Sequence, residues 1–200
     1  MNLLFASSNQ NKIKEIQALM PEHIKLFGLK DIDFNEDIPE TANTIEGNAL
    51  LKAEFIFDHF QLNPSLLKID AIFADDSGLE VDVLNGAPGV YSARFAGESK
   101  NDIANNKKLL HELKKSTRRN AQFKTVIAFV KNNNTKLFEG IIKGTIAYEP
   151  RGINGFGYDP LFIPQGFRST FAELAFETKN EISHRGIAVK RLVEYLRKNY

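Results

Sequence analysis

Two adjacent aspartates, Asp75 and Asp76, follow the apolar run Ile72-Phe73-Ala74 and precede Ser77-Gly78. Like charges side by side repel, and burial strengthens the repulsion. Either water screens the pair or a cation sits beside it. Further acidic candidates, Glu36, Asp37 and Glu40, lie in the loop-like stretch KDIDFNEDIPETAN. Magnesium takes oxygen ligands and keeps several waters, so one or two carboxylates plus substrate phosphates suffice to hold it. Glu36 and Asp37 read as ordinary solvated charges. Asp76, beside a strand end and ahead of Ser-Gly, stands where α/β sheets bind ligands.

Three other segments carry residue types suited to chemistry. In Ser7-Ser8-Asn9-Gln10-Asn11-Lys12 a strand feeds a helix through small polar residues, which exposes backbone N–H groups at the positive helix end beside a lysine. Such a turn suits a phosphate, or is simply an N-capped helix; the glycine spacing of a Walker A loop is absent. In PRGINGFGYDP, three glycines permit unusual backbone while Phe156, Gly157, Tyr158 and Asp159 combine aromatic faces with a carboxylate. This loop either stacks a base or is a turn with core aromatics. In KNEISHRG, Lys179, Ser183, His184 and Arg185 fall on the first turns of one expected helix, and residues three and four apart share a face. A hydrolase triad of Ser183, His184 and Asp76 is disfavoured because no G-x-S-x-G elbow is present.

The elements that must position these residues follow from periodicity. Leu3 to Ala6 reads as a buried strand, KIKEIQALM as a helix, Ile24 to Leu29 as a strand, and TIEGNALLKAEFIFDHF as a helix opened by an Asn43/Glu46 capping box. Ala71 to Ala74 is the strand delivering the aspartates. NDIANNKKLLHELKK is a helix capped by Asn101 or Asp102. Residues 121 to 130 and 136 to 148 are long strands joined by an Asn-rich hairpin turn at 132 to 134. The last helix places Ile182, Val189, Leu192, Val193 and Leu196 on one face. Together they predict an α/β fold with a mixed sheet flanked by helices.

Composition narrows the class. The 200 residues, 42% hydrophobic and 26% charged, suit one globular domain over 1–200. With no cysteine there is no disulfide framework, thiolate nucleophile or zinc–thiolate site, which fits a cytoplasmic protein. A net charge of +1 gives no bias toward nucleic acid or membrane, and no apolar run approaches bilayer-spanning length.

Five segments in this order, FASSNQNKIKE, ETANTIEGNALLKA, FADDSGLEVDVLNGAPGVYSARFAG, PRGINGFGYDPLF and ELAFETKNEISHRGIAVKRL, closely resemble the inosine triphosphate pyrophosphatase family, whose members are also called XTP/dITP diphosphatases. The match covers nearly the whole chain. The resemblance implies Mg²⁺-dependent hydrolysis of the purine nucleoside triphosphates dITP, ITP or XTP to the monophosphate and pyrophosphate. It implies an elongated mixed sheet with two lobes, an active-site cleft between them, and a homodimer. By position, Ser7 to Lys12 hold the triphosphate, with Lys12 as countercharge. Glu40 and Asp76 bind the metal, Asp76 accepts the proton of water, and Ser77 touches substrate. Phe156 to Asp159, Lys179, His184 and Arg185 form the base side of the pocket. One departure stands out: the family's T-G-N-x-G-K pattern has glycines where this chain carries Ser8 and Asn11. Rival readings are a Maf-type nucleotide pyrophosphatase, opposed by ISHRG and GFGYDP, and a catalytically silent nucleotide-binding protein, opposed by the retention of Lys12, Glu40, Asp76 and Lys179.

Overall fold

Leu3, Leu4 and Phe5 are each fully buried, and a strand with no exposed face belongs inside a sheet. The computed structural model, which describes residues 1–63, 67–132 and 134–200, places them there. Strand β1 (Asn2–Phe5) runs parallel to β2 (Lys25–Gly28) on one side and to β3 (Ala71–Val81) on the other, with Phe5 in register with Phe73. The sheet continues through β4 (Asn120–Lys131), β5 (Asn134–Ile146) and β6 (Phe162–Pro164) in the order β2-β1-β3-β4-β5-β6. β5 and β6 pair antiparallel, so the sheet is mixed, as the sequence predicts. The hairpin turn expected at 132 to 134 includes position 133, which lies outside the described residues.

Helices α1 (Gln10–Gln17), α2 (Ile45–Leu62), α3 (Asp102–Glu112), α4 (Phe176–Ile182) and α5 (His184–Asn199) accompany the sheet. Among the described residues, no helix is long and apolar enough to cross a membrane. Several boundaries differ from the sequence expectation. β3 does not stop at Ala74 but carries the aspartates inside the strand, on to the buried Leu79 and Val81. α1 closes at Gln17, short of Met20. The cap of α2 is Thr44, whose hydroxyl accepts from the Gly47 amide at 3.0 Å, rather than Asn43. The single C-terminal helix is two, because Ser183 adopts extended backbone (φ −68°, ψ 158°) that no helix can continue through.

The fold comprises two compact units. The first is Met1–Asp76, Thr125–Gly140 and Arg185–Tyr200. Its core sets Leu3, Phe5 and Phe73 of the sheet against Ile16 of α1 and Val189, Leu192 and Leu196 of α5. The Phe5 and Phe73 rings stack at 4.8 Å. The second unit is Ser77–Lys124 and Ile141–His184. Here Leu79, Val81, Leu109, Phe123, Phe162 and Phe171 cluster, with Phe123 4.7 Å from Phe162.

Candidate active site

Side chains alternate across a strand, so adjacent aspartates inside β3 must point to opposite faces. Asp75 shares a face with Phe73, two residues earlier, whose ring packs among residues of α1 and α5. Those same helices supply its partners: Lys12 Nζ lies 2.8 Å from Asp75 Oδ1, and Arg185 Nε lies 3.1 Å from Oδ2. The other arm of Arg185 pairs with Glu15 of α1. Asp76, on the opposite face, meets Lys52 of α2 at 3.0 Å. The repulsion between the neighbours is answered by separate cations on separate faces.

The two carboxyls therefore titrate in opposite directions. Burial alone would push Asp75 up, but Lys12, Arg185 and Lys52 outweigh it and hold the carboxyl well below the usual carboxylate range. Asp76 goes the other way: burial dominates over the opposing pull of Lys52 and Lys12, and its pKa rises. Burial lowers Lys12 despite Asp75, whereas Asp76 and Glu40 more than offset the burial of Lys52 and raise it.

Lys52 also reaches Glu40 Oε1, at 2.7 Å. Two carboxylates thus converge on one cation. Glu40 is held over α2 because the nearby Ala42 N–H donates to the buried Asn48 side chain at 2.9 Å. The neighbouring Glu36 and Asp37 are exposed, as a solvated loop requires. Among the described residues no three His, Cys, Asp or Glu side chains cluster as a metal cage. A metal here would take Glu40 and Asp76 and complete its shell with waters or phosphate oxygens, which is the chemistry magnesium favours.

The turn before α1 forms without glycine. Asn9 caps the helix, its side chain accepting from the amides of Asn11 at 3.0 Å and Lys12 at 3.2 Å. Ser7 Oγ accepts from the Asn9 amide at 3.2 Å, and Gln10 donates to the Ser8 carbonyl at 3.4 Å. Neither Ser8 nor Asn11 adopts positive φ, so the two positions where the family pattern has glycine accommodate side chains here. Ser8, Asn9, Gln10 and Asn11 are exposed, whereas Lys12 is turned inward onto Asp75.

The second unit holds a separate constellation. Lys179 of α4 pairs with buried Asp159, and its ammonium lies 5.0 Å from the centre of the half-buried Phe156 ring. Asp159 also accepts from the Phe156 amide at 2.8 Å. Gly157 is gripped from α3: its amide donates to Asp102 at 2.7 Å and its carbonyl accepts from Asn106 at 3.0 Å. Tyr158 is a core residue whose hydroxyl donates to the Ser92 carbonyl at 2.9 Å, and burial pushes its pKa up. His184 is buried and stacked on Phe123, rings 4.5 Å apart and 8° from parallel. Gly155 has φ +75° and a Cβ there would fall on the Asp159 carboxylate, so only glycine fits. The structure thus brings Phe156, Asp159 and Lys179 together. Arg185, in the first unit, joins Lys12 and Asp75, whereas Lys179, in the second, pairs with Asp159. Ser77 is half-buried on β3 just after Asp76.

Two participants escaped the sequence reading. Lys52 falls among Ile45, Asn48, Ala49, Ala53 and Ile56 on the buried stripe of α2, and Glu15 adjoins Ile16 on that of α1. A charge on a helix's apolar face was the available signal, since charges are almost never buried without a partner.

Relatives align along nearly the whole chain. A protein of Flavobacterium psychrophilum named dITP/XTP pyrophosphatase is 54% identical over 197 residues, covering 98% of this chain and 100% of that one. One of the same name from Christiangramia forsetii is 53% identical over 198 residues, 99% of this chain and 100% of the relative. The structure of the Staphylococcus aureus Ham1 protein superposes with a TM-score of 0.87 at 40% identity, covering 100% of both chains. The model of the Ham1 family matches residues 3–195, and the chain belongs to that family.

Proposed function

We propose that this protein hydrolyses the deaminated purine nucleoside triphosphates dITP, ITP and XTP to the nucleoside monophosphate and pyrophosphate, using Mg²⁺. The observation that carries this is the convergence of Glu40 and Asp76 on one cation position, 2.7 and 3.0 Å from the Lys52 ammonium. The name of the relatives, dITP/XTP pyrophosphatase, supports two of these substrates, dITP and XTP. When bound, Mg²⁺ neutralises charge on the phosphate oxygens.

This chain's own residues do the rest. Asp76 orients a water and takes its proton as the oxygen attacks the α-phosphorus; the raised pKa that burial gives its carboxyl suits a proton acceptor. Lys12 supplies positive charge to the triphosphate, and the turn from the half-buried Ser7 through the exposed Ser8, Asn9, Gln10 and Asn11 supplies polar contacts. Ser77, next to Asp76, contacts substrate. Phe156 offers a stacking face, and Asp159 fixes both that loop and Lys179. Tyr158 and Gly157 shape the loop from behind. Since Asp159 and Asp102 already engage the Phe156 and Gly157 amides, the 6-oxygen of hypoxanthine or xanthine is met by side-chain donors, Lys179 and His184. An adenine amino group would leave such donors unpaired, at about 1–3 kcal/mol per buried group. Cytoplasmic location and a homodimer complete the proposal, supported by the absence of cysteine and by the family motifs.

The test is a panel of ITP, dITP, XTP, GTP and ATP with and without Mg²⁺, scoring pyrophosphate against orthophosphate. Pyrophosphate from the first three, only with metal, is expected. No metal-dependent pyrophosphate from any of them would overturn the proposal.

A further inference from the structure

We infer that Lys52 keeps the Glu40–Asp76 pair closed to divalent cations until nucleotide phosphates draw its ammonium away, so that metal enters with the nucleotide and not before it. The inference rests on the metal assignment proposed above. The ammonium lies 2.7 Å from Glu40 Oε1 and 3.0 Å from Asp76 Oδ1. A magnesium ion drawing on those two oxygens, which it takes at about 2.0–2.1 Å, would have to displace the ammonium that now holds both. The two cations exclude each other by contact and by charge.

Lys52 cannot simply swing into water. It is 6% exposed, on the buried face of α2 between Asn48 and Ala49 on one side and Ala53 and Ile56 on the other. Its stem is therefore packed along the helix while its head serves the two carboxylates. An ammonium carries three donors, and Glu40 and Asp76 engage two of them. The third is available to a phosphate oxygen, which offers the head a new anion within reach as the carboxylates pass to the metal. Lys12 does not duplicate this role, because its ammonium bonds Asp75 rather than Glu40 or Asp76.

The experiment titrates Mn²⁺ alone into nucleotide-free protein and reads free metal by electron paramagnetic resonance. Lys52→Met should bind Mn²⁺ at least about tenfold more tightly than wild type, since the charge that repels the metal and holds Glu40 Oε1 and Asp76 Oδ1 is removed. Lys52→Arg, which keeps the charge, should stay as weak as wild type. If the Met variant does not fold, Lys52→Gln takes its place. Equal affinity in wild type and the neutral variant would overturn the inference. Adding Asp76→Asn to the neutral variant should abolish the gain; a gain that survives it would show that the metal does not bind at Asp76 and would overturn the metal assignment itself.

Discussion

Asp75 and Asp76 are consecutive in β3 yet hold different cations on different faces, Lys12 at 2.8 Å and Lys52 at 3.0 Å. The division of labour follows from strand geometry. Asp75 ties together α1, β3 and α5 through Lys12 and Arg185, whereas Asp76 faces the position shared with Glu40.

Replacing Asp75 should therefore damage the fold. Asp75→Asn leaves Lys12 and Arg185 without their buried counter-charge, and breaking such a pair from one side costs about 3–5 kcal/mol. Urea denaturation should show a loss of this size. An unchanged midpoint would contradict the structural role.

Replacing Asp76 should damage turnover instead. Asp76→Asn keeps an acceptor for Lys52 and removes the proton acceptor, so kcat should fall by about 10²–10⁴-fold with a near-native unfolding curve. A variant with wild-type kcat would contradict the assignment of the base.

Stability should also depend on acid. The folded-state pKa of Asp75 lies below its unfolded value of about 3.9, so its contribution is fully present above that value and is lost as pH falls below it. In metal-free buffer the melting temperature of the wild type should decline below about pH 4. The decline should be shallower in Asp75→Asn, which has no carboxyl there to protonate.

The loop around Phe156 gives a fourth expectation. Gly155→Ala forces a side chain into left-handed backbone, at about 1–2 kcal/mol, and drives its methyl onto Asp159. Displacing Asp159 loosens both the Phe156 amide and Lys179. KM for ITP should rise more than kcat falls, as steady-state kinetics would show.

Much of this was legible in the sequence because it rests on local pattern. The all-apolar Leu3-Leu4-Phe5 and the polar turn at Ser7 to Asn9 ahead of a helix stand where periodicity puts them. The missing parts depend on tertiary partners. Asp75-Asp76 reads as a strand terminus because two charges in a row rarely continue a buried strand, yet cations from α1, α2 and α5 make this possible. The helical spacing from Lys179 to Arg185 reads as one helix because the extended backbone of Ser183 leaves no mark in hydrophobic period. Lys52 and Glu15 stay hidden among apolar neighbours, since only the folded chain shows which charge answers which.

The central claim is that water attacks the α-phosphorus and pyrophosphate leaves. Hydrolysis of ITP with Mg²⁺ in ¹⁸O-labelled water, followed by mass spectrometry of both products, tests it most directly. The account predicts one ¹⁸O in the inosine monophosphate and none in the pyrophosphate. Label in the pyrophosphate, or release of orthophosphate in its place, would contradict it.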